Sequence, residues 1–495
     1  MPIVKFLPLG KEIKVQKGST VLMAERAAGI RQDAPCGGHG KCGKCKVWIK
    51  GKEALACRTQ VWEDVIVTVN GELQEGEILS QGIDSQFVLH PVKEGSCHIG
   101  VDIGTTTVVA YLLDGTKGEI LDTESMLNPQ FPYGADVISR IQAAAGGKLL
   151  ELSRLIREGV WHLIQELCRK RRISLQDIGT VAVVANPAMQ QLFFQEPVEN
   201  LAKPPFSPAF TKARTLPLSD YFPVKGEGRL LLVPDIAGYV GADTMGCILA
   251  SGMYLNPEIT LMIDIGTNGE MVLGNSEQMV ACSTAAGPAL EGGRISCGMR
   301  GCPGAIDHVW TDENGKVSFS VIGDEEEKGI CGSGLIDAVA VMLGLGILNK
   351  RGRIQKDYQG EGKDRFYRLT KRISLTQEDI REVQMAKGAI AAGITLMMKE
   401  RKVKMEDIHK VILCGAFGNY MDPKSACTIG LLPRELLGKI KAGGNAAGMG
   451  SRIMALDQEK FFLTQELLKK IKPIELASFP EFQRIYAENM MFLDK

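Results

Sequence analysis

Four cysteines fall close together in the stretch PCGGHGKCGKCKVWIKGKEALAC, residues 35–57. Cys36, Cys42, Cys45 and Cys57 are spaced C-x5-C-x2-C-x11-C. Four thiolates on one short segment can surround a metal centre. Gly37, Gly38, Gly40 and Gly43 let backbone amides curl toward inorganic sulfur without a Cβ in the way. Zinc sites also use C-x2-C, but a zinc ribbon brings two such pairs and this loop has one, which favours a [2Fe–2S] cluster over zinc.

A second chemistry is written in two short turns. Asp102-Ile103-Gly104-Thr105-Thr106, followed by Thr107, recurs as Asp264-Ile265-Gly266-Thr267-Asn268, followed by Gly269, at an offset of 162. A Gly/Thr turn offers amides and hydroxyls to phosphate oxygens, and an aspartate just ahead can hold Mg²⁺ through water. One such turn is no more than a hairpin; two facing each other clamp a polyphosphate between two lobes. Gly415-Ala416-Phe417-Gly418 follows an apolar strand and allows the close backbone approach a purine needs. Glu291, inside GPALEGG at 287–293, stands soon after the second phosphate strand, where a carboxylate can orient an attacking water. The same stretch also reads as a plain helix-breaking turn. Cys297 and Cys302, with four residues between them, hint at a second metal site, but reduced thiols in a core are the simpler reading.

The elements that must position these residues follow from periodicity. Ile3–Leu7 and Glu12–Val15 read as a hairpin around Leu9-Gly10, and Ser19 as the cap of a helix reaching about Ala28. After the cysteines, Cys45–Ile49 and Val65–Val69 run as strands. Residues 172–185, RISLQDIGTVAVVA, are echoed by 402–415, KVKMEDIHKVILCG, at an offset of 230. Two repeats in the same order at offsets of 162 and 230 imply one duplicated domain whose second copy carries about 68 extra residues between Leu273 and Lys402. The expected division is 1–79 for the cysteine-bearing domain, 80–97 for a linker rich in turn formers, and 98–495 for the duplicated domain, with lobes of about 98–258 and 259–495.

Composition narrows the rest. The chain has 495 residues, with 58 basic against 58 acidic side chains and 45% hydrophobic residues, enough for about three folding units. Zero net charge gives no electrostatic reason for nucleic acid as partner. Apolar runs such as Ala338–Leu348 fall short of the roughly 18 residues that suggest a membrane span. No signal-peptide pattern precedes the first strand, and the remaining cysteines are scattered singly, so a cytoplasmic location is expected.

The β-β-α-loop-β order with cysteines after the helix resembles the β-grasp ferredoxins, with one residue more in the first cysteine gap than the plant type. The two turns, CGSGLIDAVAVML at 331–343 and VILCGAFGNY at 411–420 resemble the phosphate loops, connecting helix and adenosine motif of the ATPase fold shared by sugar kinases, actin and heat-shock chaperones. That likeness adds Gly332 and Ser333 to the nucleotide-binding candidates. The fold class is then α/β: an N-terminal α+β β-grasp ferredoxin domain followed by a duplicated actin/sugar-kinase-like ATPase domain.

The combination is similar to the reductive activators of corrinoid proteins. The resemblance runs through the cysteine loop, VDIGTTTVV, VPDIAGYVGADT, AAGPALEGG, ICGSGLIDAV, CGAFGNYMDP and GGNAAGMGSRIMAL. It implies a [2Fe–2S] cluster, ATP and Mg²⁺ as cofactors, and ATP-driven delivery of an electron to the Co(II) corrinoid of a methyltransferase or O-demethylase system, restoring Co(I). It also implies an upstream donor (a ferredoxin, flavodoxin or reductase) and allows a homodimer. Longer relatives carry a middle domain between ferredoxin and ATPase, for which the twenty or so residues from Leu79 to Val101 leave no room. Asn186-Pro187-Ala188-Met189 replaces a more threonine-rich turn, so no nucleotide role is assigned to it.

The need for ATP follows from redox arithmetic. A plant-type ferredoxin sits near about −400 mV, the Co(II)/Co(I) couple lies lower, and each 59 mV costs a factor of ten for one electron. Nucleotide helps only by favouring a conformation in which the transfer becomes favourable. A linker of this length spans on the order of 25 Å as a coil, which keeps the cluster near the ATPase surface. Three other readings stand beside the activator: an electron donor to another low-potential metalloenzyme, a redox-sensing ATPase clamp, and a small-molecule kinase with a fused redox domain.

Overall fold

The structure, a computed structural model, describes residues 1–30, 34, 38, 40, 43–69, 97–313, 315–355 and 365–492. Cys36, Cys42, the Leu79 boundary and the 80–96 linker lie outside the described residues.

The first domain is a five-stranded mixed sheet. β1 (Ile3–Leu7), β2 (Lys11–Lys14), β3 (Lys46–Ile49), β4 (Lys52–Leu55) and β5 (Val65–Val69) lie in the order β2-β1-β5-β3-β4. β1 pairs parallel with β5, and the other pairs are antiparallel. One helix, α1 (Val21–Ala27), packs Val21, Leu22 and Ala24 onto Val4, Phe6, Val47 and Val67. Its cap is Thr20, whose Oγ1 accepts from Met23 N at 3.2 Å, and not Ser19. Ser19 instead joins a backbone pairing: its carbonyl accepts from Val61 N, which places it one residue too early for the N2/N3 amides a cap must reach. The order is that of a β-grasp.

The first lobe follows with β6 (Cys97–Ile103), β7 (Thr107–Asp114), β8 (Ile120–Leu127), α2 (Val137–Ala143), α3 (Leu149–Arg171), β9 (Ile178–Ala185), α4 (Pro187–Phe194), α5 (Glu199–Ala202), β10 (Arg214–Pro217), β11 (Arg229–Leu232) and α6 (Ala242–Ser251). The second lobe holds β12 (Ile259–Ile265), β13 (Gly269–Gly274), β14 (Met279–Thr284), β15 (Ala305–Thr311), β16 (Val317–Val321), β17 (Gly329–Ile330), α7 (Gly332–Gly344), β18 (Phe366–Arg368), β19 (Ser374–Thr376) and α8 (Gln377–Arg401). It ends with β20 (Ile408–Cys414), α9 (Gly415–Tyr420), α10 (Pro423–Ile429), β21 (Ile440–Gly444), α11 (Ala446–Leu456), α12 (Gln458–Lys470), β22 (Ile471–Pro473) and α13 (Phe482–Met490).

The duplication is exact in topology. Lobe one runs β11-β9-β6-β7-β8 and lobe two β21-β20-β12-β13-β14, with a further edge strand on each. In both, the first two pairs are parallel and the last two antiparallel. The central parallel strands are apolar on both faces because both faces are covered: all of β9 but Gly179 is buried. α3 and α8 cover matching outer faces, and α3 buries Leu152, Ile156, Val160, Leu163 and Leu167 at helical spacing. The extra residues of the second copy lie between β14 and α8, residues 285–376, where the first lobe has only 128–148 between β8 and α3.

The two lobes share a middle core. The inner faces of both sheets, through Tyr111, Val184, Met262, Val272 and Ile412, close over α6 and α11. Small residues let these helices touch backbone to backbone: a Cβ on Gly450 would lie 2.2 Å from Gly246 Cα. Glycine is needed there because nothing larger fits between them, which explains the GGNAAGMGS stretch as packing.

Candidate functional site

The two phosphate turns sit at equivalent strand ends and face each other across the cleft. Within each turn the glycine amide is used internally: Gly104 N donates to Thr107 O and Gly266 N to Asn268 O, both at 2.9 Å. The glycines therefore shape the turns, and a Cβ on Gly104 would sit 2.9 Å from Thr107 O. The threonine hydroxyls are the groups presented to the cleft. Glu291 lies between them, its Oε1 accepting from Thr267 Oγ1 at 3.0 Å and its Oε2 facing Thr106 Oγ1 at 3.5 Å. One carboxylate thus spans the two lobes at the place expected for a polyphosphate.

Behind the first turn stands a cation the sequence did not reveal. Arg140 on α2 is fully buried, and its guanidinium donates to Thr105 O at 2.5 Å, Gly134 O at 3.0 Å and Gln130 Oε1 at 3.2 Å. Burial pulls it down to about 9, still above neutral pH, so despite its desolvation it supplies positive potential under the turn. Asn186 caps α4 and donates Nδ2 to Thr105 Oγ1 at 3.1 Å. It touches the first turn directly, although sequence gives it no such role.

Below the turns the carboxylates of both lobes converge. Asp102 is pushed up to about 7, first by burial and then by Asp243 and Asp264, against a hydrogen bond from Asn445. Asp264 is pushed up to about 6 by burial. Asp243, at the start of α6, is pushed up to about 7 by burial and by Asp264. Glu270 and Asp235 are raised well above the carboxylate range for the same reasons. Carboxylates that raise one another draw a divalent cation held through water, since among the described residues no three such side chains are placed to bind a metal directly. Asp243 was missed because an aspartate in the first turn of a helix has an ordinary structural use there.

The residues expected on the adenosine side gather on the second lobe. Gly415, with φ of +78°, presses on Asp264: a Cβ there would lie 2.5 Å from Asp264 Oδ1. Gly332 packs under Leu290 O and the Phe417 ring, so α7, α9 and the Glu291 loop meet at one point. Gly418 lies against Leu413, and Ala416 falls within α9. Ser333 is turned away: its Oγ donates to Asp307 O at 2.9 Å inside the lobe. Thr107 and Gly269 open β7 and β13, Thr107 holding its turn by accepting from Gly104 N and Gly269 by pairing with Ile265.

At the cysteine loop, Cys45 and Cys57 are buried in the β-grasp core. Gly38, Gly40 and Gly43 all take positive φ, and a Cβ on Gly38 would fall 3.9 Å from Cys57 Cβ and 3.1 Å from Leu22. Soft donors beside glycine backbone fit a [2Fe–2S] cluster, with Cys36 and Cys42 the remaining expected ligands. The basic side chains near these cysteines are tied into the fold. Arg58 donates to Gly40 O at 2.8 Å and Lys46 pairs with Glu53 at 3.1 Å. Lys44 reaches the second lobe, donating to Ile295 O at 3.0 Å and Gly298 O at 3.2 Å. Cys297 donates to Ser374 O, so its thiol is engaged within the lobe.

Comparison with known proteins agrees in three segments. A 2Fe-2S iron–sulfur cluster binding domain matches residues 5–64, the RACo middle region 97–256, and the C-terminal domain of RACo, the ASKHA domain, 258–495. The match to the RACo middle region thus falls on the first lobe. The corrinoid activation enzyme RamQ of Eubacterium limosum is 32% identical, with 99% of each chain covered. The [Co(II) methylated amine-specific corrinoid protein] reductase of Methanosarcina barkeri is 28% identical over 78% of this chain and 75% of its own. A solved reductive activator for corrinoid, iron–sulfur protein superimposes with a TM-score of 0.73 at 28% identity, covering 99% of this chain and 98% of its own.

Proposed function

The chain belongs to the family of RACo-type reductive activators of corrinoid proteins, and we propose how its residues serve that activity: Glu291 reports nucleotide between the two lobes while Cys36, Cys42, Cys45 and Cys57 hold the electron-carrying centre. The protein is an ATP-dependent enzyme that returns a Co(II) corrinoid to Co(I). The observation that carries the proposed roles is the bridge from Thr267 and Thr106 to one carboxylate.

A [2Fe–2S] cluster, when bound, holds and passes one electron. The protein's own part begins with Mg-ATP entering between the turns, where the Thr105, Thr106, Thr267 and Asn268 groups receive phosphate oxygens and Asp102, Asp243 and Asp264 order the metal through water. Arg140 adds positive potential from behind. The threonine hydroxyls then exchange Glu291 for phosphate, leaving that carboxylate to orient the attacking water. Uphill electron delivery becomes favourable only if the nucleotide-bound shape differs in its interaction with the corrinoid partner.

The acceptor is assigned to a corrinoid protein of a methyltransferase or O-demethylase system, with an upstream ferredoxin, flavodoxin or reductase as donor and a cytoplasmic location. No helix among the described residues is long and apolar enough to cross a membrane. Anaerobic spectrophotometry tests the assignment: reduced protein with a Co(II) corrinoid protein should give Co(I) with Mg-ATP and none with Asp264→Asn. Equal Co(I) formation without ATP sinks it.

A further inference from the structure

We propose that Lys44 is a positioning residue through which the nucleotide site adjusts the seat, and with it the electron affinity, of the cluster-binding loop. The inference rests on the activator reading and supplies the physical link that reading needs. Lys44 precedes the ligand Cys45, and its ammonium is held by two carbonyls of the second lobe, Ile295 O and Gly298 O. Those carbonyls belong to the loop that starts at Glu291.

The loop has no slack. It doubles back so tightly that a Cβ on Gly298 would lie 2.3 Å from Gly292 O, and one on Gly292 would lie 2.3 Å from Met299 O. Ser296 is fastened to α8, its N and Oγ donating to Asp379 at 2.7 and 2.6 Å. Arg300 stacks 5.3 Å above the Phe131 ring of the first lobe. The backbone of residue 292, next to Glu291, therefore bears directly on the backbone of residue 298, which holds Lys44.

When a polyphosphate takes the Thr106 and Thr267 hydroxyls, Glu291 leaves its place and Gly292 moves with it. Close-packed contacts pass on such a shift because nothing compressible lies between. A cation beside a cluster favours its reduced form, whose charge is more negative, and the effect depends on distance. Shifting the two carbonyls that aim Lys44 changes that stabilisation.

The test uses the full, cluster-loaded chain without any corrinoid protein. Redox titration followed by electron paramagnetic resonance is run with and without Mg²⁺ and a non-hydrolysable ATP analogue. Nucleotide should change the wild-type one-electron equilibrium at least threefold. In Lys44→Met the change should vanish while nucleotide affinity stays the same, and Lys44→Arg should restore part of it. An undiminished change in Lys44→Met, or none in wild type with nucleotide bound, overturns the proposal. Should Lys44→Met not load its cluster, hydrogen exchange on the wild type decides: nucleotide must alter exchange in both 43–46 and 292–299, and change confined to the latter overturns it. A chain that shows the Lys44-dependent shift yet never reduces a corrinoid protein sinks the activator reading and leaves this one standing.

Discussion

Glu291 Oε1 lies 3.0 Å from the hydroxyl of Thr267 while its other oxygen faces Thr106 in the opposite lobe. A side chain that holds both lobes together competes with any ligand entering between them. Glu291→Gln keeps the size and removes the charge, so it should bind nucleotide at least as tightly while hydrolysing it about a hundredfold more slowly. Equilibrium binding and phosphate release, measured on the same preparation, check both halves.

Asp264→Asn and Asp102→Asn should fold, retain iron, and lose ATP hydrolysis by about a hundredfold or more, because the ordering charge for the metal disappears. Wild-type hydrolysis in both variants would show that other carboxylates do this work. Iron content and the cluster signal serve as the folding control.

The buried aspartates make a sign-definite pH prediction. Asp102 and Asp243 lie at about 7 in the fold, above the ordinary value of 3.8, so the folded chain binds protons that the unfolded chain has released. Their contribution to stability of the metal-free protein therefore falls as pH rises from about 4 through about 7, and is fully present only below that window. Asp243→Asn removes one such group and should flatten the profile. Denaturant midpoints in the absence of Mg²⁺ across that range measure it, and adding Mg²⁺ should raise the midpoint more at pH 8 than at pH 5.5.

Cys57→Ser should abolish the cluster signal and leave nucleotide binding intact, since Cys57 belongs to the β-grasp core and not to the lobes. Anaerobic iron and sulfide analysis decides the first part. Zinc in the wild-type site would overturn the assignment of the metal.

Gly450→Ala places a methyl group 2.2 Å from the Gly246 backbone, and overpacking of this kind costs about 1–3 kcal/mol. Chemical denaturation should show that loss. An unchanged midpoint would mean the helices part easily.

Much of this architecture was legible because repetition is legible. Asp102 and Asp264, and Asp177 and Asp407, fixed the duplication by offset alone, and the matched sheet orders bear it out. The turns were legible through their Gly and Thr content. β4 was not, since Lys52-Glu53-Ala54-Leu55 carries no clean alternation and is held by pairing with β3. Arg140, Asp243, Asn186 and Asn445 gain their meaning only from where the fold places them, and no local pattern marks a side chain that serves a loop far away in sequence. The contact of Lys44 was not legible because its acceptors are backbone carbonyls some 250 residues distant, and carbonyls have no sequence.

The bare contact between α6 and α11 has a mechanical meaning. Among the described residues no strand pairing joins the two large sheets, so turning one lobe on the other breaks no β-ladder hydrogen bond. What resists rotation there is side-chain packing, Met245, Met449 and Ile453 among it, and any change in the angle between the lobes is carried to the turns at their strand ends.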